Sequence, residues 1–263
     1  MIDRYEDLEQ LTRNAVNQLS AESPWLVLST APVRPASGTP MAADSDALQR
    51  WVRQQVSGWP APLPIGLTPP DVQPDKLAFT PPRGPGESAN KYYYEFHSDG
   101  SALGGLQIGV LRNSPSEGRL VWTLGEGALA WISIAMLRLN AAFAQRLTVM
   151  GQTEVKVTVV YPATPGLTAP LQVWQHTNGT YSPVGICQSG SVSSARRAVD
   201  LASCLSASLP ATARPLLLDV LRQFGVLESR HIDVDGVIRR RHFTGHDKLI
   251  DTWTRSIGVP STL

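Results

Sequence analysis

The side chains that could define a chemistry here are five histidines, two cysteines and one run of three arginines in a chain of 263 residues. His242 and His246 have a spacing used by zinc fingers. No Cys-x-x-Cys accompanies them, and Phe243-Thr244-Gly245 between them reads as a turn. No metal site is therefore expected. Cys187 follows an apolar residue and has no base beside it in the sequence, so only a distant histidine brought close by folding could activate it. The nucleophile elbow Gly-x-Ser-x-Gly is absent; the nearest stretch, Gln188-Ser189-Gly190-Ser191, does not fit it. Asp233 and Asp235 sit at a turn, where aspartate is common for backbone reasons. Gly125-Glu126-Gly127 lies between a strand and a helix, a place where a helix N-terminus can hold an anion. A phosphate loop needs further glycines and a Lys-Ser or Lys-Thr pair, and Glu126 would repel the phosphate. The triplet reads as a tight turn. No catalytic residue and no cofactor is assigned.

Nucleic acid is the sharpest alternative. Helices expected at residues 194–207 and 212–224 precede a hairpin that carries Arg239, Arg240, Arg241 and His242. That is the order of a helix-turn-helix followed by a wing, and a basic wing contacts phosphates. Against it, the recognition helix would be Ala213-Arg214-Pro215-Leu216-Leu217-Leu218-Asp219-Val220-Leu221-Arg222, too apolar to face a groove. In a strand Arg239 and Arg241 share one face, and Arg240 and His242 the other. A solvated edge strand that uses arginine to discourage pairing is the preferred reading of the run. The strand Tyr92-Tyr93-Tyr94 could stack bases, but its alternation with Phe96 is what a sheet core requires.

Composition points the same way. Net charge is +1, so no global field draws the chain onto nucleic acid or anionic lipid. Hydrophobic residues make up 42%, enough for a sizeable core, and two cysteines are too few for a disulfide scaffold. The opening MIDRYEDLEQL is acidic and lacks the order of a signal peptide. Residues 128–144 approach the length of a membrane span, but Arg138 and Asn140 interrupt them, so a buried helix is expected. These features together imply a cytoplasmic protein with no membrane contact.

The elements that must position these residues follow from periodicity. Leu8, Leu11, Ala15 and Leu19 predict a helix over 2–19, and Trp25-Leu26-Val27-Leu28-Ser29 a strand. Residues 31–90 are rich in proline, yet carry Trp51, Trp59, Leu67, Leu77 and Phe79, so they should wrap the core around a helix at 47–56. A hairpin is expected at 91–111, strands at 119–124, 154–161 and 171–174, and an apolar helix at 128–149. Trp131, Ile134, Leu137 and Phe143 should be buried on that helix. A second hairpin with Asp235-Gly236 as its turn should span 228–243, and a helix 247–257. The class is α+β: a mostly antiparallel sheet, a long buried central helix, and a C-terminal helical and hairpin part. Residues 1–187 form the core, and 188–263 pack on it as one unit.

Four stretches carry a family resemblance: Pro24-Trp25-Leu26-Val27-Leu28, Tyr94-Glu95-Phe96-His97-Ser98-Asp99-Gly100, the helix at 128–144, and Gln223-Phe224-Gly225-Val226-Leu227-Glu228 with the later Asp235-Gly236. In this order they resemble the region that follows the Schlafen-type (Alba-like) ATP-binding domain in many actinobacterial proteins. No segment here looks like the ATP-binding domain, so no family active-site residue carries over. The resemblance implies an accessory module with a sensing or docking role. The leading expectation is thus a non-enzymatic binding protein acting through protein–protein contacts. The alternative is a nucleic-acid-binding regulator that uses the Arg239–Arg241 hairpin.

Overall fold

The structure is a computed structural model, and it describes residues 4–19, 23–37, 41, 45–61, 63–81, 92–114, 117–160, 169–177, 180–188 and 191–263. The chain runs α1 (Arg4–Val16), β1 (Trp25–Pro32), α2 (Ser45–Val56), β2 (Asp71–Val72), β3 (Lys76–Phe79), β4 (Tyr92–His97), β5 (Ala102–Gln107), β6 (Val110–Ser114) and β7 (Arg119–Gly125) into a long helix, α3 (Glu126–Arg146). After it come β8 (Gln152–Val160), β9 (Leu171–Thr177), β10 (Thr180–Cys187), β11 (Ser191–Ser193), β12 (Arg197–Asp200), α4 (Leu201–Cys204), α5 (Leu209–Arg222), β13 (Ile238–Arg239), α6 (Asp247–Ser256) and β14 (Ser261–Thr262). The class is α+β.

The larger sheet has the order β11-β8-β1-β5-β4-β3-β2, with β12 also on β8. Every pairing in it is antiparallel. A strand points successive side chains to opposite faces. β4 therefore sends Tyr92, Tyr94 and Phe96 into the main core and Tyr93 and Glu95 to the other side. Phe96 stacks on Tyr94 with 5.1 Å between ring centroids and meets Phe143 of α3 at 4.7 Å. On the opposite face α1 covers a smaller cluster of Ala15, Trp25, Val27, Tyr93 and Leu103. A second sheet, β10-β9-β7-β6, lies beside α3, with β7 and β9 parallel.

Helix α3 is long and apolar enough to cross a membrane by length and composition, and 78% of its most apolar window is buried inside the protein. Its two polar interruptions have partners. Tyr94 Oη donates to Asn140 Oδ1 at 2.9 Å, and Arg138 reaches the Leu205 carbonyl. The described part of the proline-rich region packs on the same core through Leu48, Val52, Val56, Trp59, Ile65, Leu77 and Phe79. One cluster joins these to Leu216, Leu217, Ile250 and Trp253, so residues on both sides of 187 share a core.

Three expected elements differ. The helix at 194–207 begins as a strand: residues 197–200 add to β8, and only Leu201–Cys204 are helical. An exposed edge of β8 offers backbone partners that outweigh local helix propensity. The hairpin at 228–243 keeps its turn, with Gly236 at φ +75 and its N–H bonded to Asp233 O. Its ladder shrinks to one bridge, Ile232 to Ile238, because β13 pairs in parallel with β14 instead. Residues Arg240–His242 then form a 3-10 turn. The Gly125-Glu126-Gly127 turn is in fact the start of α3, with Glu126 its first residue.

Candidate functional site

Segments far apart in sequence meet at the N-terminus of α3 and enclose a cleft of about 360 Å³. One wall is Gly125, Gly127, Ala128 and Trp131; facing it are His176 of β9 and Tyr181 of β10. The C-terminal segment closes the space with His231, His242, Phe243 and Ile250, and Pro60 and Ala61 reach it from the turn after α2. Four of the five histidines line it, His246 being the fourth. Trp131 was expected in the core. It is half-buried instead, on the cleft side of α3, edge-on to Trp59 at 6.2 Å, whereas Ile134, Leu137 and Phe143 are fully buried. Helix periodicity cannot tell a core-facing ring from one that lines a cleft opening into the core.

The buried chemistry of the cleft centres on Glu126, which is 0% exposed. Its Oε1 accepts from Ser229 Oγ at 2.8 Å and from the Arg230 N–H at 2.9 Å, and its other oxygen accepts from Gln175 Nε2. His231 Nδ1 stands 3.1 Å from Oε1, within ion-pair distance but out of line for a hydrogen bond. The other ring nitrogen, Nε2, is 3.0 Å from the His242 carbonyl. Burial alone pushes the Glu126 carboxyl up. His231, Ser229 and Gln175 more than offset it, so the group is held below the ordinary carboxylate range. An acid in the first turn also suits the positive end of a helix. Gly127 makes the arrangement possible: a Cβ there would lie 3.0 Å from His231 Nε2 and 3.3 Å from Phe243.

This network binds segments together. Ser229 Oγ gives its proton to Glu126 and accepts from the N–H groups of His231 and Ile232. Its hydroxyl meets a carboxylate and no imidazole. Of the His231 ring nitrogens, Nε2 is held by the His242 carbonyl and Nδ1 faces Glu126 without a hydrogen bond.

Two of the groups that line the cleft carry free donors. Arg241 Nε donates to His242 Nε2 at 3.2 Å. A guanidinium has no lone pair to accept with, so the His242 proton is on Nδ1. Burial first, then the charges of His231, Arg241 and Arg230, lower the His242 pKa, which keeps the ring neutral at neutral pH. Tyr181 packs against Trp174 at 5.2 Å and sets its hydroxyl beside Gly125, where a Cβ would lie 3.0 Å away. Burial raises its pKa, so it too keeps its proton.

The arginine run is divided among different tasks. Arg239 pairs with Asp233 and donates to Thr262 Oγ1 at 2.9 Å. Arg240 pairs with Asp251 at 2.8 Å. Arg241 is exposed beside His242. The 3-10 turn removes the strand alternation that would have put Arg239 and Arg241 on one face. His242 and His246 both line the cleft, and among the described residues no three His, Cys, Asp or Glu side chains are grouped to hold a metal ion. Cys187 is half-buried and Cys204 buried, both as free thiols.

No family model, curated protein or solved structure matches the chain. The site therefore has to be read from its own geometry. Glu126, Gln175, Ser229 and His231 are the residues that sequence reasoning missed. One local signal was present: a single acid opening a long apolar helix, where a buried charge needs partners. Their positions in the sequence say nothing of which partners those are.

A second buried carboxylate lies on the α1 side of the larger sheet. Glu95 accepts from Lys76 Nζ at 2.7 Å and from Tyr93 Oη, and His97 Nε2 is 3.0 Å away. Burial pushes it up, but those three partners hold it at about 2. It ties β3 to β4, and its partner His97 lines a polar hollow with Gln10, Asn14 and Asp75.

Proposed function

We propose that the chain is a non-enzymatic binding module and that its binding centre is the cleft at the N-terminus of α3. The observation that carries this reading is the commitment of Glu126 and His231: every oxygen and ring nitrogen of the pair already faces a group of the chain itself. Catalysis needs a base or nucleophile free to meet a substrate. Binding needs a concave, mostly apolar space with a few convergent polar groups, and the cleft offers that. An accessory role beside a protein partner fits such a module, with the partner responding to an occupied cleft. The nucleic-acid alternative has less support, since Arg239 and Arg240 are paired with acids.

The test is a thermal-shift screen of metabolite-sized compounds on the wild type and on Ala128→Phe, which fills the cleft. Stabilising compounds should raise the Tm of the wild type and not of the variant, because only the folded state with an open cleft binds them. Mass spectrometry after incubation should return each compound unchanged. Conversion of a compound would make the protein an enzyme. Equal shifts in both proteins would move the binding site elsewhere.

A further inference from the structure

Building on the cleft as binding centre, we infer that its ligand is a small planar aromatic carboxylate. The volume, about 360 Å³, suits a one- or two-ring molecule. The walls are flat and unsaturated: Trp131, Phe243, Tyr181 and the His242 ring offer faces and edges for an aromatic guest. Two of the polar groups at the cleft are free donors. Tyr181 Oη and His242 Nδ1 have no hydrogen-bond partner among the described residues, and each carries a proton. The first turn of α3 adds to them, since no side chain caps it and Gly125, Gly127 and Ala128 all border the cleft. These donors suit a guest that brings acceptors.

Charge gives the guest its sign. Among the described residues, no Asp, Glu, Lys or Arg lines the cleft. The acid behind the wall, Glu126, is turned into Ser229, Arg230, Gln175 and His231. Beside the cleft, Arg241 donates to His242. Arg241 has no acidic partner among the described residues. A carboxylate at the mouth meets this guanidinium and the donors beside it, while its ring fills the apolar part. Charge-assisted hydrogen bonds of this kind are the strong ones.

Isothermal titration with 2-naphthoate, its neutral isostere 2-naphthylmethanol and the non-aromatic cyclohexanecarboxylate tests both halves of the inference. The naphthoate should bind, and the alcohol and the alicyclic acid should each bind at least about tenfold more weakly. Arg241→Gln should weaken the naphthoate several-fold and leave the alcohol unchanged. Ala128→Phe, and independently Ala61→Phe from the turn after α2, should abolish binding of all three; a melting curve for each variant shows that it is folded. Alcohol and acid binding equally, with both blocked by the filled variants, would overturn the carboxylate and leave the cleft as the site. Binding that persists in folded Ala128→Phe and Ala61→Phe would overturn both readings. Absence of any binding by the naphthoate would overturn the inference, while the compound screen still judges the cleft.

Discussion

His231 Nδ1 stands 3.1 Å from Glu126 Oε1, joining the C-terminal segment to the first turn of the buried helix. Neither group is more than 3% exposed, so neither can turn to water if its partner is lost. Glu126→Ala should therefore cost about 3–5 kcal/mol, the range for breaking a buried pair. Glu126→Gln keeps an acceptor and should cost less, about 1–3 kcal/mol. Urea unfolding measures both. A loss below about 1 kcal/mol for the alanine variant would mean that the pair does not hold the segment.

The two buried carboxylates also set the response to acid. Glu95 sits at about 2 in the folded protein against an ordinary 4.5, and Glu126 is lowered as well. With a depressed folded value, the unfolded chain binds protons first as pH falls. The stability contributed by Glu95 is thus complete above about pH 4.5 and is lost as pH drops from there toward about 2. Urea midpoints should decline over this window, and the decline should be shallower in Glu95→Gln. An equally steep decline in that variant would assign the acid limb to other groups.

Trp131 and Phe143 belong to the same helix and should behave differently. Phe143 is fully buried against Phe96, and its replacement by alanine should cost about 3–5 kcal/mol. Trp131 is half-buried at the cleft, so Trp131→Ala should cost less, about 1–2 kcal/mol. Equal losses would mean that the cleft wall is as tightly packed as the core.

Arg239 and Arg241 can be separated in the same way. Arg239→Glu places an acid against Asp233 and should destabilise by about 1–2 kcal/mol, whereas Arg241→Glu at an exposed position should stay within about 0.5 kcal/mol. Fluorescence anisotropy with a labelled random duplex at two salt concentrations then decides whether the run contacts nucleic acid. A DNA contact would show micromolar binding that falls with salt by a log–log slope of about −0.9 per phosphate and disappears in the double variant. The expected outcome is no such binding by the wild type.

Much of the fold was legible from period alone. Tyr92, Tyr94 and Phe96 alternate with Tyr93 and Glu95, and a strand has no choice but to send them to opposite faces. The apolar length of residues 128–144 required a buried helix, and Asn140 and Arg138 marked the places where that helix would need polar partners. These are local rules, satisfied by the backbone geometry of a few consecutive residues.

The cleft was not legible, because it depends on pairings that local rules do not reach. Residues 197–200 became a strand only because β8 had an edge free, and Arg240 left the hairpin where β14 took its place beside β13. Glu126 read as a turn residue until Gln175, Ser229 and His231 arrived from elsewhere to surround it. The sequence by itself determined which faces are apolar, since side-chain direction follows from the period of each element. Only the tertiary structure decided which polar groups meet, since a buried charge is stabilised by whichever partners the packing brings within about 3 Å.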